Sequence, residues 1–425
     1  MDSTATPNPA MPEAAAPATS AAPAKPARPA EPARPAHARL CIVLLVLLGF
    51  TLGCSEFAVI GIEPELARDF GVSLAQVGQL ISLFSITYAV LTPVLALVTG
   101  RFRRFQLFVA YSVVFVLGNL AAMLAPTFEV LLASRVLLGA CSGGLLAVGV
   151  TCIPELVGRE RTSMVISVVY AAFSMAMVVV TSVGRLVASF LDWHVVMAGT
   201  LVMSVASCVA LAAVFPREGA TDEPATASEQ FGLLRESCVL SGIAIFVFGV
   251  GAVYVFYGYI TPYLEGILGM TPVAASAVLM AYGGVCLVSN LASGVVDSRF
   301  GMRGLLVTFP LLATALAALW ALGPSMPWAL MVVLCIGLLM YIVSVPCISM
   351  FMDTATRRHP KALTLASSIE PASFNTGIAF GTAVGGAVVS GPGMRFVGLV
   401  GAAFALLACV LVALSLRLAR RSREA

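Results

Sequence analysis

The chain has 425 residues, of which 60% are apolar and 11% charged, with a mean hydropathy of +1.00 and a formal net charge of +3. A soluble globular domain carries roughly 25% charged residues, so an ordinary soluble enzyme is excluded. The small net charge calls for no nucleic-acid partner.

In chain order, residues 1–38 are built of Ala, Pro and a few charges. Such a composition buries too little apolar surface to offset the entropy of ordering, and predicts a disordered tail. It is not a signal peptide, because the apolar run behind it is too long. Twelve apolar runs follow, at roughly 40–61, 74–98, 105–124, 129–152, 164–190, 195–215, 239–261, 272–296, 304–322, 327–350, 362–390 and 396–416. About 20 residues at ~1.5 Å rise match a ~30 Å hydrocarbon core. The chain therefore reads as an all-α polytopic membrane protein of twelve transmembrane helices, embedded in a lipid bilayer.

The longest polar stretch between spans, 216–238, divides it into an N-terminal six-helix bundle over 39–215 and a C-terminal one over 239–416, with a tail at 417–425. The halves repeat each other. Gly294, Asp297, Arg299, Gly301 and Arg303 follow the eighth span as Ala96, Thr99, Arg101, Arg103 and Arg104 follow the second, at an offset near 198 residues. Of the 24 Lys and Arg, twenty fall in the two tails and the even-numbered loops, and only Arg68 and Arg395 on the other side. The positive-inside rule places both termini in the cytoplasm.

Arg135 and Arg185 fall inside spans, as do Glu56 and Glu370. An ionisable group there costs roughly 3 kcal/mol on insertion scales unless it lines a cavity or finds a partner. Counted from the predicted span ends, Glu56, Arg135 and Arg185 share one depth, about 8–9 Å below the outer surface. Glu56 and Arg135 are thus expected to pair, with Glu56 a protonation site whose charge Arg135 toggles. The alternative is a fixed ion pair that sets helix register. Glu370 is a second proton candidate. Arg185, near a span end, is expected to snorkel to the surface. Tyr254, Phe256, Tyr257, Tyr259 and Tyr263 are candidates to line a pocket for an uncharged organic molecule. Asn375 and the glycines after it suit close helix packing.

The loop motif Gly294, Asp297, Arg299, Gly301, Arg303, with Arg135 and Gly139 in span four, resembles the signatures of the major facilitator superfamily. Ser55, Glu56 and Phe57, then Tyr257, Tyr259 and Pro262, and then Asn375, Gly377, Gly381, Gly385 and Gly386 are similar to the drug:proton antiporter-1 branch, which includes arabinose-efflux-type permeases. The resemblance covers 39–416 and implies two pseudo-symmetric bundles rocking about a midplane cavity. It also implies that Tyr257, Tyr259 and Asn375 face that cavity, and that the loop motif with Arg101 and Arg104 controls the conformational cycle. Two departures stand out. Thr99 replaces the usual acid of the first loop, whose Arg101, Arg103 and Arg104 are left to pair with Glu155 or Glu160. Val183, Gly184 and Arg185 replace a Pro and Gly pair in span five.

There is no H-E-x-x-H pair and no phosphate-binding loop, so neither enzyme chemistry, a metal nor a cofactor is expected, and an ion gradient must supply the energy. The sequence reads as a monomeric secondary transporter of a bacterial inner membrane, exporting a small drug, sugar or similar metabolite in exchange for protons. Nutrient uptake by a facilitator or symporter, and a transporter-like sensor that moves nothing, are the alternatives.

Overall fold

The computed structural model describes residues 35–99, 102–157, 159–217, 232–322, 325–359 and 362–424. The Ala/Pro tail up to residue 34, Arg101 and most of the stretch between the halves lie outside them. Helices occupy all twelve expected spans: α1 (Pro35–Phe70), α2 (Leu74–Thr99), α3 (Arg104–Met123), α4 (Phe128–Thr151), α5 (Arg159–Phe190), α6 (Trp193–Val214), α7 (Ser237–Tyr257), α8 (Pro272–Phe300), α9 (Leu305–Leu322), α10 (Met326–Arg358), α11 (Leu363–Ser390) and α12 (Val397–Glu424). The chain is a multi-pass membrane protein in which one end of the bundle carries the start of α1 and the end of α12. We call this the tail end, and the opposite one, with the turns at 71–73, 191–192 and 258–271, the far end.

Several helices outrun their apolar stretches. The run in α1 stops near residue 61, where Glu63, Pro64 and Glu65 interrupt it, yet the helix continues to Phe70. Pro64 has no N–H for the Ile60 carbonyl one turn back. Thr261 Oγ1 donates to that carbonyl at 2.6 Å instead. In α10 a turn at 341–343 separates Met326–Met340 from Ser344–Arg358, with Pro346 just beyond it. Ser293 of α8 donates to the Ile342 carbonyl and accepts from the Val345 N–H, each at 3.0 Å, so α8 satisfies the broken backbone.

Close approach of backbones sets the two halves apart from ordinary helix bundles. On α1, Gly49, Gly53 and Gly61 face α5, where an added Cβ would lie 2.8 Å from the Val169 carbonyl oxygen, 2.6 Å from that of Phe173 and 2.6 Å from that of Thr181. The second half repeats the joint with the partners exchanged: Gly381 and Gly385 of α11 face α7, 2.6 Å and 2.5 Å from the carbonyl oxygens of Gly251 and Val255 on the same test. Lipid offers no hydrophobic drive for helix association, so small residues that admit dense packing hold such pairs together. Between the halves, α2 lies along α11 and α5 along α8.

Candidate functional site

The polar groups inside the membrane domain form two layers. In the central layer, Arg135 of α4 is 1% exposed and donates from Nη1 to the Ser55 carbonyl and from Nη2 to the Glu56 carbonyl, both at 2.9 Å. Its guanidinium carbon sits 5.2 Å from the centre of the Phe84 ring, a cation–π contact that is strongest where water is absent. Glu56 and Arg135 are therefore neighbours, as expected, but the bonds run to main-chain carbonyls. The buried Glu56 carboxyl keeps an Oε2 with no hydrogen-bond partner among the described residues.

Across from it, Glu370 of α11 is only partly buried. Glu56 and Glu370 belong to different halves, yet both lie within electrostatic reach of the Tyr88 and Tyr341 hydroxyls. Tyr170 of α5, which faces Glu370, is 38% exposed, and the tail-end part of α5 opens further at Met164 and Val168. Beyond Met175 one face of the same helix is buried, through Ala176, Met177, Thr181 and Ser182. Exposure along α5 thus extends from the tail end as far as Tyr170, and bonds between the halves seal the structure beyond it.

The seal is the second layer. Arg185, 2% exposed, donates from Nη1 to Glu65 Oε2 at 2.5 Å, from Nη2 to Glu265 Oε2 at 2.9 Å and from Nε to Glu265 Oε1. The surface position expected for Arg185 is corrected by this geometry: two carboxylates, one on α1 and one from the opposite half, replace the water it would have sought. The common depth expected of Glu56, Arg135 and Arg185 is corrected too, since α1 runs on to Phe70 and sets Glu56 fourteen residues, or about 21 Å, from its helix end. Around the triad, Ser276 donates to the Ser182 carbonyl at 2.6 Å, and Thr261 caps Ile60.

Tyr257 and Tyr259 lie in this seal rather than on the parted side. Tyr257 stacks on Tyr282 with ring centres 5.0 Å apart, and Tyr259 donates to the Thr382 carbonyl at 3.0 Å while packing over Gly78 and Gly386. Asn375 donates to the Pro371 carbonyl within its own helix, and its buried Oδ1 has no partner among the described residues. Glu63, Glu65 and Glu265 escaped the sequence reading because they stand outside the apolar runs, and Thr261 because an uncharged residue at the end of a run draws no notice. Glu63 is fully buried, with neither carboxyl oxygen hydrogen-bonded among the described residues. Its spacing of seven from Glu56 is a usable signal, because i and i+7 share one helical face.

The loop motif is at the tail end. Gly301, at φ +53°, caps α8 through its N–H to the Asp297 carbonyl, and Asp297 accepts from Ser349 of α10 at 2.6 Å. Gly294 is loosely packed, and Arg299 and Arg303 are exposed. Of the first copy, Arg104 donates to the Thr151 carbonyl at the end of α4, whereas Arg101 and the side chains of Glu155 and Glu160 lie outside the description.

Relatives share this architecture. The chain is 29% identical over 370 residues to the inner membrane transport protein YdhP of Escherichia coli K12, covering 87% of this chain and 94% of that one. It is 24% identical over 381 residues to the uncharacterised MFS-type transporter YtbD of Bacillus subtilis, covering 89% and 96%. Its fold matches a bacterial homologue of the human lysosomal transporter Spinster, in an inward-facing and occupied conformation, with a TM-score of 0.74 at 15% identity over 88% of this chain and 96% of that one. The Major Facilitator Superfamily family model matches residues 45–369. With twelve helices in two repeated halves and that match, the chain belongs to the Major Facilitator Superfamily and is a membrane transporter, not an enzyme.

Proposed function

We propose that the protein is a proton-coupled exporter of a small organic compound, working by alternating access in a bacterial inner membrane with its tail end in the cytoplasm. The carrying observation is the buried Glu56 carboxyl, unpartnered at Oε2 among the described residues, with partly exposed Glu370 in the opposite half. An ionised carboxylate without partners is costly in such surroundings. Proton uptake and release at Glu56 and Glu370 therefore give each conformation a different preferred charge, which is what coupling requires. Arg135 holds the α1 backbone at Glu56 and positions the carboxyl.

On this reading the conformation is inward-facing: the basic loops and tails lie at the parted end, and the seal lies toward the outside. The residues similar to the drug:proton antiporter-1 branch support export. Asp297, bonded to Ser349, serves the cycle by holding α8 against α10, and the transporter acts as a monomer.

The test begins with a growth screen of an overexpressing strain against toxic compounds, which supplies a transported compound. Adding it to energised inside-out vesicles should alkalinise the lumen, since each molecule entering drives protons out. Acidification would indicate symport, and saturable binding with no flux a non-transporting sensor.

A further inference from the structure

Glu63 stands apart from the central layer, two turns or about 10 Å along α1 from Glu56. It is fully buried in the seal, with neither carboxyl oxygen hydrogen-bonded among the described residues. Its enclosure is built from both halves. Three residues earlier, the Ile60 carbonyl takes the Thr261 hydroxyl of the second half, and Gly61 packs against the Thr181 backbone of α5. Tyr257 and Tyr259, also of the second half, lie within electrostatic reach of the carboxyl.

The charged groups nearby are committed elsewhere. Arg185 of α5 gives its guanidinium to Glu65 and Glu265. Of the other helices packed on α1, α2 brings Tyr88 and α4 brings Arg135, both set at Glu56, while Glu129 of α4 and His194 of α6 are exposed at the far end. An ionised carboxylate is far costlier to enclose in such surroundings than the neutral acid. Half of the enclosure belongs to the opposite bundle, so it leaves when the far end opens.

We propose that Glu63 is a proton-binding site that latches the far end: it takes a proton from the outer solution as the halves close on it and returns that proton to the same solution as they part. This rests on the alternating-access reading. Glu63 is fully buried while the tail-end part of α5 is exposed as far as Tyr170, so its proton has no route to the cytoplasm. The site therefore adds nothing to the protons exchanged for cargo. It makes the outer pH a control on the conformational equilibrium instead.

A hydrated carboxyl is ionised above about pH 4.3, so at higher pH the closed state carries one proton more than the open one. Each further unit then shifts the ratio of far-end-open to far-end-closed protein toward open, by up to about tenfold. The Arg185 cluster has the opposite sign, because protonating Glu65 or Glu265 at low pH weakens the seal.

The test uses purified full-length protein in lipid nanodiscs, with no compound and no gradient. Spin labels enter as noncanonical amino acids at Ser73 and Ser325, exposed far-end positions of the first and second halves, which leaves the ten native cysteines in place. Pulsed distance measurements between about pH 5 and pH 9 give the open-to-closed ratio. Glu56→Gln with Glu370→Gln forms the background, so that the central acids contribute no titration. In it the ratio should rise with pH, and adding Glu63→Gln should hold the far end closed throughout. The same addition to the otherwise wild-type protein should lower the slope by up to about tenfold per unit. A ratio that ignores pH, a slope of opposite sign, or a slope that survives Glu63→Gln overturns the proposal. So does a glutamine variant that fails to fold, because the neutral form would then not suit the seal. The vesicle assay of export can fail without touching these outcomes, and they can fail while export stands.

Discussion

Thr261 of the second half donates its hydroxyl at 2.6 Å to the Ile60 carbonyl of the first, the carbonyl that Pro64 deprives of its helical donor. A defect inside one helix thus becomes a bond between the two bundles. On the alternating-access reading, that bond is made only while the far end is sealed. Thr261→Val keeps the shape and removes the donor, leaving a buried carbonyl unsatisfied at a cost of about 1–3 kcal/mol. The variant should populate the far-end-open state more than wild type does. Solvent access to a cysteine placed at Ser276 reports it, and unchanged labelling would show that the bond contributes nothing to the seal.

The Arg185 cluster obeys the logic of buried charge. Removing one member strands the others, at about 3–5 kcal/mol, whereas removing all charge together costs far less. Arg185→Met should therefore lower thermal stability and membrane abundance more than the triple variant Arg185→Met, Glu65→Gln, Glu265→Gln. Equal loss in both would mean that packing, rather than charge, holds these residues.

The number and order of the helices are legible in the sequence because run length measures the bilayer directly. The far end of α1 is not. Glu63, Pro64 and Glu65 lie beyond the apolar run that ends near 61, and the groups that bond to this segment come from 120 residues away in Arg185 and about 200 away in Thr261. The central acids were visible as charges out of place, but not the way Arg135 is used. A salt bridge and a backbone clamp leave the same two letters in a sequence.

Helix joints give a prediction that ignores chemistry. An added methyl at Gly381 would meet the Gly251 carbonyl oxygen at 2.6 Å, backbone against backbone. Gly381→Ala should destabilise the protein by about 1–3 kcal/mol, read as a lower melting temperature in detergent. Gly294→Ala, where a Cβ meets nothing within 4 Å, serves as the control and should melt like wild type.

Glu63 is enclosed with no partner for either oxygen among the described residues, so its neutral form fits this conformation. Glu63→Gln should fold and insert normally, whereas Glu63→Lys should not. Poor abundance of the Gln variant would show that a charged Glu63 is required in the seal.

Topology rests on the distribution of basic residues. Reporter fusions after Arg217 and at the C-terminus should be cytoplasmic, and one near Phe70 external. The reverse pattern would make the sealed end the inner one and turn the proposed conformation around.

The central claim, that the Glu56 carboxyl carries the coupling proton, is tested most directly by Glu56→Gln in proteoliposomes with a compound found by the growth screen. Exchange of labelled for unlabelled compound at equal pH is measured beside uptake driven by a pH gradient. The account predicts that exchange survives while gradient-driven transport is lost, because glutamine keeps the shape and hydrogen-bonding capacity of the group and removes only its titration. A normal gradient-driven rate in the glutamine variant would contradict it.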